Sequence, residues 1–155
     1  SVDVPGVVAM AAALDEAVQE MEAEAARLSR LRDRLVAGVL EAVPGATSNG
    51  GGERLPGIAN LAFPGCSGES LILLLDAVGV ECSTGSACTA GVAEPSHVLM
   101  ALGADETAAR SSLRLSLGHT TTEADVDAAI AALGPAAERA RAAGLGLTRT
   151  GATAS

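Results

Sequence analysis

Few residues in this sequence have the chemistry to do more than fold: Cys66, Cys82 and Cys88, His97 and His119, and one arginine, Arg114, set apart by its surroundings. Cys88 sits near the middle of a stretch from Ser83 to Ala93 made almost wholly of Ser, Thr, Gly and Ala. Such a segment has little apolar surface to bury, so it reads as an exposed loop, and a thiol there matters for reactivity rather than packing. A free thiol ionises near pH ~8.5 and is a weak nucleophile at neutral pH unless its environment assists. No lysine and no near-sequence histidine is available for that, and the bland alternative is an inert loop thiol. Arg114 is the polar centre of Leu113-Arg114-Leu115-Ser116-Leu117, which alternates as a half-buried strand does. A planar guanidinium forks onto a carboxylate through two parallel hydrogen bonds, which suits recognition of an amino acid; the alternative is a salt bridge to a neighbouring acid. Cys66 in a turn and Cys82 on a short strand read as structural, and His97 and His119 as surface or packing residues. Three cysteines without C-x-x-C spacing fit a reducing compartment better than a disulfide framework, and no metal site is expected.

The elements that must position these groups follow from periodicity. Apolar residues recur at Val7, Met10, Leu14, Val18, Met21, Ala25, Leu28, Leu31, Leu35 and Val39, a helical stripe over residues 4–43. Asp3 is its N-cap, Pro5 lies in its first turn, and Pro44-Gly45 ends it. Acids crowd its first half and arginines its second, an order that complements the helix dipole, and the charges read as a solvated face. The segment from Pro44 to Pro56, with Asn49 and three glycines, predicts a flexible connector without a regular element. Ile58 to Phe63 predicts a strand. Ser67 is placed to cap a buried helix over Leu71 to Val78 that Gly79 stops. Val80-Glu81-Cys82 predicts a short strand feeding the cysteine loop, Pro95 opens a helix to Leu102, and Asp105 to Ala109 predicts a helical turn. After the Arg114 strand, Thr121 or Thr122 caps a last helix carrying Val126, Ile130 and Leu133, with Gly134-Pro135 as a kink. The sum is an α+β fold: a sheet of about three mostly antiparallel strands covered by helices, with a long N-terminal helix. Residues 1–142 form one small domain (1–43 the long helix, 44–142 the sheet-and-helix core), and 143–155 read as a disordered tail.

Composition bounds the function. The chain has 155 residues, 48% hydrophobic, with Phe63 its single aromatic and a net charge of −9. One core can be built from small aliphatic contacts, whereas nucleic-acid or anionic-membrane binding is disfavoured for want of clustered cations. No run of about 18 apolar residues and no signal-peptide pattern is visible, so a cytoplasmic location is expected.

The words "STGSACTAGVAEPSHVLMALG" and "SSLRLSLGHTTTEADVDAAI" give the chain a likeness to a known family. From about Val4 to about Arg141 it resembles the C-terminal, small domain of the cysteine desulfurases of the NifS/IscS type, class V aminotransferase relatives of the fold-type I pyridoxal phosphate enzymes. The resemblance implies that sulfur moves from L-cysteine to Cys88 as a persulfide, leaving L-alanine, and that Arg114 binds the substrate carboxylate. It implies pyridoxal phosphate as cofactor, a homodimer, and sulfur-acceptor proteins such as an iron-sulfur scaffold as partners. In such enzymes a large domain supplies the lysine that holds the cofactor. This sequence has no lysine at all, so the chain by itself is expected to be inactive and to hold no cofactor. A start at Ser1-Val2-Asp3 without Met fits a fragment or a processed chain. Two other readings stay open: a free-standing persulfide relay or docking module, and the selenocysteine lyase or cysteine-sulfinate desulfinase branch.

Overall fold

The computed structural model describes the backbone of residues 3–85, 88–89 and 92–150, with side chains over 3–85 and 94–144. Helix α1 (Val4–Ala42) begins where the Asp3 carboxylate accepts a hydrogen bond from the Gly6 amide and ends before Gly45, whose φ of +81° only glycine adopts without strain. Strand β1 (Thr47–Ser48) pairs antiparallel with β2 (Ile58–Ala62). Helix α2 (Gly68–Asp76) closes at a turn ending in Gly79, φ +81°. Strands β3 (Cys88–Thr89) and β4 (Val92–Ala93) pair with each other, and α3 (His97–Ala101) and α4 (Glu106–Arg110) follow. Strand β5 (Ser112–Ser116) lies antiparallel to β2, giving a three-stranded sheet of order β1-β2-β5, and α5 (Glu123–Thr150) packs across α1 and α2.

One core unites these layers. Leu61 and Phe63, Leu71 and Leu75, Leu113, and Leu133 are fully buried, joined by Leu31, Leu35 and Val39 from α1. At about 25 cal/mol per Å² of apolar surface removed from water, such aliphatic contacts suffice for a single small core. The α+β class with an antiparallel sheet and a long first helix is as the sequence predicts. Several local expectations are corrected. The third strand is not Val80–Cys82, which is irregular; only Ser83 bridges to β5. From Val78 to Glu81 the chain runs across an open groove from Leu115 to Leu117, so no ladder forms there. The third strand is instead Thr47–Ser48, inside the stretch expected to be an irregular connector. Ser67 occupies the N-cap of α2 without a side-chain capping bond, and its carbonyl receives the Leu71 amide. Helix α5 continues unbroken through Pro135 to Thr150, so residues 143–150, expected as tail, are helical; 151–155 lie outside the described residues. Alanine and leucine in this stretch are strong helix formers and outweigh Gly144 and Gly146.

The charges of α1 are also more than a solvated face. The Arg27 guanidinium donates to the carbonyls of Gly118, His119 and Thr121 and pairs with Glu24, while Arg34 reaches Asp127 of α5 and Arg32 the Leu55 carbonyl.

Candidate functional site

The site is organised by β5. In its alternation Leu113 and Leu115 enter the core, while Arg114 and Ser116 are exposed on the opposite face. Both backbone hydrogen-bonding groups of Arg114 are taken by one residue: its N–H donates to the Ser83 carbonyl at 2.6 Å, and its C=O accepts from the Ser83 N–H at 3.1 Å. Ser83 opens the small-residue loop, so the strand bearing the guanidinium and the loop bearing Cys88 are joined by backbone alone. The loop then turns at Gly85, whose amide donates to the Ser83 hydroxyl at 3.0 Å. Beneath it, Gly68 at the start of α2 leaves room: a Cβ there would stand 2.8 Å from the Thr84 methyl and 2.8 Å from the Arg110 carbonyl oxygen.

Cys88 opens β3 opposite Ala93, and Thr89 faces Val92. The stretch expected to be a loop without regular structure thus holds two short antiparallel strands, and the expected exposure of the Cys88 thiol concerns a side chain outside the described residues. Cys88 lies five positions after Ser83, a reach of no more than about 18 Å for an extended chain.

The Arg114 guanidinium makes no hydrogen bond or ion pair among the described residues, so the salt bridge weighed as its alternative is not found there. Directly across the ladder stands Asn60. Its side-chain oxygen accepts from Asn49 Nδ2 at 2.7 Å; the same Nδ2 donates to Ser112 Oγ at 2.9 Å, and the fully buried Ser112 hydroxyl donates to the Ala108 carbonyl at 2.7 Å. Sequence reasoning passed over Asn60 and Ser83. The one available signal for Asn60 was its place in Ile58–Ala62, a lone polar side chain between buried Ala59 and Leu61.

The remaining candidates lie elsewhere. Cys66 is buried with its thiol 3.5 Å from the Ala137 carbonyl; burial pushes its pKa up, with Arg141 opposing in smaller measure. Cys82 is half-buried, and its thiol is raised by burial first and by the Asp76 carboxylate second. Neither environment favours a thiolate. His97, at the start of α3, and His119, in the turn after β5, are exposed. Among the described residues no three His, Cys, Asp or Glu side chains gather as a metal site, and no helix is long and apolar enough to cross a membrane.

These features define a small α+β domain in which a polar strand face carrying an arginine is coupled to a cysteine loop. The sequence profile of the aminotransferase class-V family matches residues 1–129, and the chain belongs to that family. It is 57% identical over 145 residues to an IscS-like cysteine desulfurase of Mycobacterium tuberculosis, covering 92% of this chain and 37% of that protein. To the cysteine desulfurase NifS of Azotobacter vinelandii it is 43% identical over 130 residues, covering 83% of this chain and 32% of the relative. A solved NifS-like protein superposes with a TM-score of 0.74 at 30% identity, over 87% of this chain and 34% of that one. The chain thus spans about a third of the length of the curated relatives it matches.

The pyridoxal phosphate that the resemblance implies needs an amine for its Schiff base, and a chain without lysine does not supply one. The residues present do not fit as the holder of that group.

Proposed function

We propose that this chain is the sulfur-accepting part of a cysteine desulfurase, with Cys88 as the thiol that becomes a persulfide and Arg114 as the residue that holds the carboxylate of L-cysteine. The observation that carries this reading is the Ser83–Arg114 backbone pair, which ties carboxylate recognition to the loop of the nucleophile. In the overall reaction the Cys88 thiolate forms a bond to the substrate sulfur, the carbon–sulfur bond breaks, and the carbon keeps the electron pair and takes a proton to give L-alanine. The cofactor is held by protein beyond these 155 residues, and the persulfide is handed to an acceptor protein such as an iron-sulfur scaffold. The 57% identity to a protein named a cysteine desulfurase supports the same assignment.

The test uses the full-length, cofactor-loaded protein. Cys88→Ser should still bind L-cysteine but release no alanine and form no persulfide. Arg114→Ala should weaken L-cysteine binding about 10- to 100-fold, since a charge-assisted bidentate contact contributes about 1.5–3 kcal/mol. Arg114→Lys should recover only part of the loss, because an ammonium keeps the charge without the fork. A folded Arg114→Ala protein that binds L-cysteine as tightly as the parent overturns the assignment.

A further inference from the structure

Arg114 does not face outward alone. Because both its backbone groups are directed to Ser83, on the side away from β2, its pairing with Asn60 is the non-hydrogen-bonded kind. In such pairs the Cα atoms stand about 4.5 Å apart and the side chains are closest. Asn60 and Arg114 therefore rise side by side from the face of the sheet opposite Leu61 and Leu113.

The orientation of the Asn60 amide follows from counting protons. Ser112 has one hydroxyl proton, and it goes to the Ala108 carbonyl. Its oxygen is then an acceptor toward Asn49, so Asn49 must present its NH₂ there. That same NH₂ meets Asn60 at 2.7 Å, so Asn60 must present its oxygen to Asn49. The NH₂ of Asn60 is left over, and among the described residues it donates to nothing. Two neighbouring side chains, one cationic and one neutral, thus offer donors on the same face, with no acceptor among the described residues answering either.

We infer that Asn60 is a specificity-determining residue that donates its amide N–H to the same carboxylate that Arg114 grips, held in place by the Asn49–Ser112–Ala108 chain. This rests on the reading of Arg114 given above. A donor pair of this kind selects a ligand bearing a carboxylate over the same thiol and amine without one, because only the carboxylate can accept from both. A substrate lacking that group leaves both donors unanswered.

The experiment compares two ligands, L-cysteine and cysteamine, which is the same thiol and amine without the carboxylate. Binding is measured by calorimetry on the full-length, cofactor-loaded protein in a Cys88→Ser background, so that sulfur transfer does not consume the ligand. Asn60→Asp is the diagnostic variant: it keeps the oxygen that Asn49 donates to, but replaces the free NH₂ with an anionic oxygen beside Arg114. It should weaken L-cysteine about 100-fold while leaving cysteamine within about threefold of the parent. Asn60→Ala should weaken L-cysteine about tenfold with the same indifference to cysteamine. If circular dichroism shows Asn60→Asp unfolded, Asn60→Ala decides by the same ligand comparison. Equal losses for both ligands would mean a structural role and overturn the inference, as would unchanged L-cysteine binding in a folded variant. Arg114→Ala runs alongside: if it binds L-cysteine like the parent, the assignment of Arg114 fails, whereas a loss there with none at Asn60 removes Asn60 alone.

Discussion

Helix α1 has one apolar periodicity and two fates. In its first half Val7, Met10, Leu14, Val18 and Met21 are between 59% and 74% exposed, while in its second half Leu31, Leu35 and Val39 are 6% exposed or less. The spacing is the same throughout, so what differs is cover: α1 packs on α5 and β2, and its buried residues all lie in the second half. A hydrophobic stripe therefore specifies which face of a helix wants burial and says nothing about how much of it this chain can bury. The charges divide the same way, with Arg27 and Arg34 bonded to the turn after β5 and to α5, and the acids ahead of Glu24 in solvent.

The widest contrast should come from truncating one leucine in each half. Leu35→Ala removes a buried side chain of the core and should cost about 2–5 kcal/mol in urea unfolding of the chain. Leu14→Ala should stay within about 0.5 kcal/mol. Equal effects would erase the distinction between the halves.

A smaller effect tests the place where the buried half begins. Gly57 lies 2.6 Å, measured from an added Cβ, from the Leu117 carbonyl oxygen and 3.4 Å from Leu28 of α1. Its own carbonyl accepts from the Leu117 amide, so the two strands cannot part without losing a ladder bond. Gly57→Ala should destabilise by about 1–3 kcal/mol, read as a lower urea midpoint at unchanged slope. A neutral outcome would mean that this junction yields easily and that the buried half is less tightly defined.

The smallest effect is alkaline. Burial raises the Cys66 thiol above its ordinary value, so the folded chain keeps this proton where the unfolded chain has begun to lose it. The unfolded state then binds fewer protons, and stability must fall as pH rises above about 8.5, the ordinary thiol value. Cys82 contributes with the same sign. Stability measured from pH 7 to 10 should decline less steeply in Cys66→Ala than in the parent. Identical slopes would show that the Cys66 thiol titrates alike in both states.

What could be read in advance was whatever local chemistry decides. Asp3 caps α1 and Thr122 with Asp125 forms a reciprocal cap at α5, both at residues the sequence marks, whereas Ser67 makes no capping bond and α3 is capped by Ser96 rather than opened by Pro95. Leu113 to Leu117 announced β5 and the outward place of Arg114. Pairing partners were not legible: Thr47–Ser48 is a strand only because β2 offers an open edge, and Val80–Cys82 has strand-like residues but no neighbour in register. Asn60 escaped notice for the same reason, since its meaning comes from Asn49, Ser112 and Arg114, residues 11, 52 and 54 positions away along the chain.

The backbone clasp between Ser83 and Arg114 also has a kinetic meaning. A thiol five residues from that clasp is confined to a sphere of about 18 Å radius around it whatever path the loop takes, which corresponds to an effective concentration on the order of tens of millimolar. A carboxylate ligand held at Arg114 would meet the Cys88 thiol as an intramolecular neighbour rather than by diffusion. Because the clasp itself uses only main-chain groups, any residue but proline at position 83 can form it, while the turn that follows also draws on the Ser83 hydroxyl and on Gly85.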